Sequence, residues 1–414
     1  MFVDATFPDA RAIALSGMDA HLMSNYFYGN LWRSSATFTP AQQAAVSGYA
    51  NPMAMFASGN QMGRTDPAPG RSAPSYPGIA DYTSAVFNAA VPAALRYDPT
   101  GLPPNFSGAR PTVFDENVNV YGRARNPLDP SGNSTYALRP FDNVGVQYGL
   151  AALNAGAITV QQFLDLNDQI GGFDTDANPV RERSGGSLEA IKRIHQAGVI
   201  LSGGSSLASL PIMDTTNIYG EDNSNYHLQW EHFAVRARLT QANGSAANQV
   251  MWRGGPADHL ISPASPLAIA TFEQWMNNIA ADIGTGSARD KVLRDKPAAA
   301  VDGCFDSANT FIAETQTLGL DDTRCNTLYP SYRNARMQAG GPLAWNVLKC
   351  QLKPVASSDY TVAFTAAEMA RLQSIFPNGT CDFSKPGVNQ GKVLPWPSLG
   401  PSPVHRIFDV SAPN

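Results

Sequence analysis

Two residues set in one fifty-residue stretch carry the clearest chemistry in this chain: Asp222 and His259. An imidazole titrates near neutral pH, so it can take a proton from a hydroxyl and hand it to a leaving group. A carboxylate bonded to its second ring nitrogen would fix the tautomer that such a base needs. The stretch from Leu210 to His259 reads as strand, acid, helix, strand, histidine. Leu210, Ile212, Met213 and Ile218 are apolar, bounded by Gly203-Gly204 before and Gly220-Glu221-Asp222-Asn223 after, which predicts a short buried strand ending at an acidic turn. Asp222 is the leading acid because it lies just past that strand. Asp214 and Glu221 are its rivals; Asp214 falls inside the strand, where a structural role fits better, and Glu221 fits a solvated position.

The elements around these residues follow from spacing. His232, Phe233, Val235, Arg236 and Leu239 recur at helical intervals, and Asn243-Gly244 stops the helix with a pair suited to positive φ. Gln249 to Trp252 reads as a second strand, running into a flexible turn from Arg253 to His259. Acid before histidine, each beyond a strand, is the order of the last two members of an α/β-hydrolase triad. The nucleophile is the member not found: no G-x-S-x-G occurs in the 414 residues. Gly203-Gly204-Ser205-Ser206-Leu207 lacks the closing glycine, and Gly70-Arg71-Ser72-Ala73 sits among prolines, so Ser205 is only a weak alternative nucleophile. His227 and His232 flank Trp230, but two histidines without a third ligand point to capping or packing rather than a metal. Arg236 and Arg238 fit architectural anchors for carboxylates or carbonyls, and His195 fits a packed position on an amphipathic helix. No cofactor or metal is expected.

Composition narrows the class. Hydrophobic residues make up 43% of the chain and charged ones 15%, with a net charge of -5 and no basic run, which argues against a nucleic-acid partner. No stretch approaches the ~20 apolar residues of a membrane span. Four cysteines, at 304, 325, 350 and 381, are even in number and lack C-x-x-C spacing, favouring two disulfides over a zinc site or four free thiols. Cys304 with Cys325 and Cys350 with Cys381 are the preferred pairs, each closing a local loop; two other connectivities stay open. Disulfides imply an oxidising compartment, secreted or periplasmic. Met1-Phe2-Val3-Asp4 does not look like a secretory signal, so the expectation is that residue 1 is not the natural start.

Along the chain, residues 1–30 read as a strand end and a helix continuing a hydrolase core. Residues 31–142, interrupted by Asn51-Pro52 and similar breaks but rich in aromatics, read as a lid or cap insertion, with Val118 to Gly122 resembling a short strand. Residues 143–285 read as the core carrying acid and histidine, with helices after Thr159, over 187–198 and over 265–283, and residues 286–414 as a loop-rich, disulfide-stapled region. The expected fold class is α/β: a partial α/β-hydrolase-like sheet with a long lid insertion.

Several stretches resemble the DUF6351 family, bacterial tannase-like proteins of the α/β-hydrolase superfamily: RPFDNVGVQYGLAALNAGAITVQQFLDLNDQIGGFD (139–174), HFAVRARL (232–239), ANQVMW (247–252), VLKCQLKPV (347–355) and IFPNGTCDFSKPGV (375–388). FPDA (7–10) is similar to the stretch just after the nucleophile helix in that family, which carries its serine elbow upstream of it. The resemblance implies a carboxylic-ester hydrolase of the serine type, acting on small-molecule or oligomeric esters. In it this chain supplies His259 as base, Asp222 as acid and the lid, while an N-terminal hydrolase segment acts as partner and supplies the nucleophile. The alternative is a non-catalytic binding or interaction module on the same scaffold.

Overall fold

The computed structural model describes residues 2–3, 10–28, 37–59, 114, 117–125, 135–174, 179–216, 228–254 and 264–394. The architecture is mixed α/β. The N-terminal elements are β1 (Phe2–Val3), α1 (Ala10–Tyr28), α2 (Pro40–Ser47) and α3 (Pro52–Gly59). They are followed by α4 (Val118–Tyr121), β2 (Arg123–Arg125), β3 (Thr135–Ala137), α5 (Leu150–Asn154), α6 (Val160–Gln169), β4 (Gly172–Phe173), β5 (Pro179–Val180) and α7 (Leu188–Gln196). A 3₁₀ turn, Ser205–Ser209, leads into β6 (Ile212–Thr216), α8 (Gln229–Asn243), β7 (Gln249–Gly254), α9 (Ala264–Ala281) and α10 (Ala288–Arg294). The remainder comprises β8 (Gly303–Phe305), β9 (Phe311–Ala313), α11 (Arg324–Leu328), α12 (Ala335–Gln338), β10 (Gln351–Lys353), α13 (Ala366–Ile375) and β11 (Thr380–Asp382).

Local chemistry accounts for the helix starts. Thr39 and Gln42 cap α2 reciprocally, as Thr159 and Gln162 cap α6, and Ser187 accepts from Ala190 N at the start of α7. Pro40 and Pro52 stand at the first helical positions of α2 and α3, where a missing N–H costs nothing. Asn51-Pro52 therefore starts a helix in a region whose prolines read as interruptions. Val118–Tyr121 is likewise a helical turn and not the expected strand: Gly122 N donates to Val118 O, and burial of Tyr121 beside α7 outweighs the β preference of the valines.

The main sheet has the order β1-β6-β7-β8-β9, with β1, β6, β7 and β8 parallel and β9 antiparallel to β8. Its register pairs Asp214 with Met251 and Thr216 with Arg253. One face is apolar: Met213, Val250, Trp252 and Phe305 pack against Ala268 and Trp275 of α9. The other face lies under α8. It has a small apolar patch of Ile212, Val235 and Leu239, and carries the polar side chains of Asp214, Gln249 and Arg253.

The largest core lies among the helices. Leu22, Tyr49, Met55, Tyr121, Tyr148, Phe163, Ile191, Trp345 and Phe376 belong to one cluster, so α1 to α7 share their apolar interior with the C-terminal region. A buried charge network crosses it. Arg336 clamps Asp19 with two bonds, at 2.9 and 3.0 Å, Tyr148 donates to Asp19 Oδ1 at 2.5 Å, and Arg336 also donates to Asp142 O at 2.8 Å. Burial, reinforced by the Asp19 charge, holds the Tyr148 phenol well above its ordinary pKa. Two disulfides, Cys304–Cys325 and Cys350–Cys381, join the pairs expected from the sequence. The second links the residue just before β10 to Cys381 of β11, the antiparallel partner strand in which Leu352 stands opposite Cys381.

Candidate active site

Buried parallel strands are ordinarily continuous apolar runs. β6 reads Ile-Met-Asp-Thr-Thr and β7 Gln-Val-Met-Trp-Arg-Gly, yet every residue of both is buried. The polar positions 214, 216, 249 and 253 share one face, because side chains alternate along a strand and the parallel register aligns them. Each of these buried polar groups must find partners or destabilise the fold.

Asp214 has both oxygens occupied. His232, in the first turn of α8, donates from Nδ1 to Oδ1 at 2.6 Å, and Gln249 Nε2 donates to Oδ2 at 2.8 Å. The two ionisable groups are at most 1% exposed, so the pair ties α8 to the sheet centre. Arg236, one turn along, grips the Asp302 carboxylate with both terminal nitrogens and donates to Gln249 Oε1 at 3.2 Å. Burial alone would raise the Asp302 pKa, but the Arg236 bonds and charge, with backbone donors Met251 and Gln316, bring it below the usual value. Arg238 donates from Nε to Ala344 O at 2.6 Å. Both arginines thus serve as the anchors the sequence suggested.

Arg253 belongs to β7, not to the flexible turn expected from Arg253 onwards. It is 1% exposed and donates to Gln316 Oε1 at 2.5 Å, Gln229 Oε1 at 2.9 Å, Asn326 Oδ1 at 2.6 Å and Tyr329 O at 3.1 Å. This fan of acceptors, gathered from α8, α11 and their neighbours, fixes the C-terminal end of β7. The sequence holds a clue in the two-residue spacing of Gln249, Met251 and Arg253, which continues the strand past Trp252. Gly254 closes the strand at φ 87°, and a Cβ there would come within 2.2 Å of the Tyr329 ring and 2.7 Å of Phe305 O. Only glycine fits this exit.

The leading candidates follow the ends of β6 and β7 in the sequence. Asp222, its rival Glu221, and His259, together with His227, lie outside the described residues. Their points of departure are described. Asp222 follows Thr216 by six positions and His259 follows Gly254 by five, and Thr216 is the register partner of Arg253. The described strands that precede the two segments are thus adjacent, parallel and end side by side. In open sheets of parallel strands this carboxyl edge is where ligands bind. β1 is parallel to β6, with Phe2 opposite Met213 and Val3 opposite Asp214.

Asp214 sits inside β6 with both oxygens taken, and Ser205 opens the 3₁₀ turn ahead of β6, toward the opposite edge. His232 is packed, pairs with Asp214 and is not the cap of α8, whose N-cap is Leu228. A buried mid-strand carboxylate predicts a partner, but nothing in sequence spacing identifies a histidine eighteen positions on. Among the described residues, no three His, Cys, Asp or Glu side chains gather as metal ligands, and no helix is long and apolar enough to cross a membrane.

A family model described as a tannase-like family of unknown function, DUF6351, matches residues 1–392. No curated protein and no solved structure matches the chain.

Proposed function

The chain belongs to this tannase-like family, and from that premise we propose that it forms the acid-and-histidine part of a serine-type carboxylic-ester hydrolase. The observation carrying this reading is the register of β6 and β7, which starts the Asp222 and His259 segments from neighbouring points on one sheet edge. In the reaction, His259 takes the proton of a serine hydroxyl as it attacks the ester carbonyl, and Asp222 holds the imidazole and stabilises its protonated form. The tetrahedral intermediate collapses as His259 returns that proton to the departing alkoxide. The acyl-enzyme is then hydrolysed by water that His259 activates in the same way. Residues 1–414 hold no G-x-S-x-G, so this reading takes its serine from outside them. Two disulfides and the absence of a spanning helix among the described residues fit an oxidising, extracytoplasmic location.

The test is hydrolysis of p-nitrophenyl esters by the intact protein from its native source and by its variants. His259→Ala should lower kcat/KM by about 10³-fold or more, the scale on which a triad base acts. Retention of activity within about twofold by His259→Ala would remove the base from the mechanism. The absence of activity on any acyl chain length would favour the non-catalytic module instead.

A further inference from the structure

The C-terminal segment from Pro386 to Leu394 lies as a strap across α7. It is tied at one end by Asn389 Nδ2 donating to Leu188 O at 2.9 Å, and at the other by Leu394 N donating to Gln196 O at 2.8 Å. Between strap and helix is a cleft of about 420 Å³. It is within the size range of small-molecule sites, ~300–1,000 Å³. His195, Ile200, Leu201 and Ser202 form one wall, and Gln390, Lys392 and Val393 line the strap. The wall residues precede β6 in the chain, and none of the lining residues is among those proposed for ester hydrolysis.

The polar complement of the cleft is dominated by donors, although Asn346, whose NH₂ donates to Gln241 Oε1 at 3.0 Å, adds an amide carbonyl as acceptor. Among the described residues, no aspartate or glutamate lines it and no carboxylate pairs with Lys392. The Gln390 carbonyl is spent on Gly387 N at 2.6 Å, so the side-chain NH₂ is its unspent group. The Ser202 oxygen accepts from Gly204 N at 3.3 Å, leaving the hydroxyl hydrogen to donate. His195 is 5% exposed, and its Nε2 has no hydrogen-bond partner among the described residues. Burial, then the charge of buried Arg238, lowers the His195 pKa, so His195 is itself neutral near pH 7. Donors in excess of acceptors, a cation with no described counter-ion and an aliphatic lining of Ile200, Leu201 and Val393 make a receptor for an anion with an apolar body.

We propose that the cleft between α7 and the C-terminal strap binds a small organic carboxylate, its carboxyl group held by Lys392, Ser202 and Gln390 and its hydrocarbon body against Ile200, Leu201 and Val393. The site does not depend on the ester-hydrolase reading. Titration calorimetry on the intact 414-residue chain tests it with benzoate and isovalerate as aromatic and aliphatic acids, and benzamide as the uncharged isostere of benzoate. Saturable binding of at least one acid at one site per chain is expected. Benzamide should bind at least tenfold more weakly than benzoate where benzoate is the acid bound. Lys392→Gln, an exposed change that leaves the core untouched, should weaken the acid at least tenfold, and Ser202→Ala should weaken it severalfold. The proposal is overturned if neither acid saturates, if benzamide matches benzoate, or if Lys392→Gln binds the acid as tightly as the unaltered chain.

Discussion

The buried polar residues of the sheet hold it together. Asp214, His232, Gln249, Arg236 and Asp302 satisfy one another beneath α8, and breaking such a buried set exposes an uncompensated charge. His195 shows the cost of burial without such partners. Desolvation, then the charge of Arg238, lowers its pKa from 6.5 to about 4. The unfolded chain therefore takes up a proton as pH falls through 6.5, while the folded chain resists it until about 4. The folded state consequently loses stability between those two values and none further below. At about 1.4 kcal/mol per pKa unit, the full loss is about 3 kcal/mol. Urea titrations across this range should show that slope in the unaltered chain and its absence in His195→Gln; parallel slopes would mean that His195 does not titrate in this way.

At the scale of elements, strands and capped helices could be read from the sequence because their signals are local. The strand around Ile212, the helix after Thr159 and the long helix after residue 264 all follow from periodicity and caps. Val118–Tyr121 could not, since its helical form depends on burial against α7, which lies distant in sequence. The Asp214–His232 bond was similarly hidden, because sequence spacing shows that each is buried but not that they meet. Arg253 was misplaced for the opposite reason: the glycines and proline after it suggest a loop, while its acceptors come from residues 229, 316, 326 and 329. The strand exit itself makes a prediction. Gly254→Ala puts a methyl group against Tyr329 and forces a left-handed backbone on alanine, so it should lower stability by at least about 2 kcal/mol. Thermal unfolding should show it, together with reduced ester hydrolysis at temperatures where the variant is still folded. An unchanged midpoint would mean that β7 does not end as described.

Across the whole molecule, one polar network joins regions far apart in sequence, and two disulfides close local loops near the C-terminal end of the described residues. Asp19 and Arg336 bring α1 to the C-terminal third, and the bridges span 21 and 31 positions. Loop-closure entropy assigns each about 3.5 kcal/mol. Reduction under native conditions should thus lower the unfolding midpoint by several degrees, and Cys350→Ala with Cys381→Ala should reproduce part of the shift; a midpoint insensitive to reductant would contradict this. The larger consequence of the topology is that β6 and β7 end side by side at one sheet edge, and the proposed acid and base follow those ends in the sequence. A double-mutant cycle on Asp222→Asn and His259→Ala, read as kcat/KM for p-nitrophenyl ester hydrolysis by the intact native protein, measures their pairing directly. If the two side chains act as a unit, each single change costs about 10³-fold or more and the double variant is little worse than His259→Ala alone. Losses that multiply, or an Asp222→Asn enzyme as active as the unaltered one, would contradict the pairing on which the account rests.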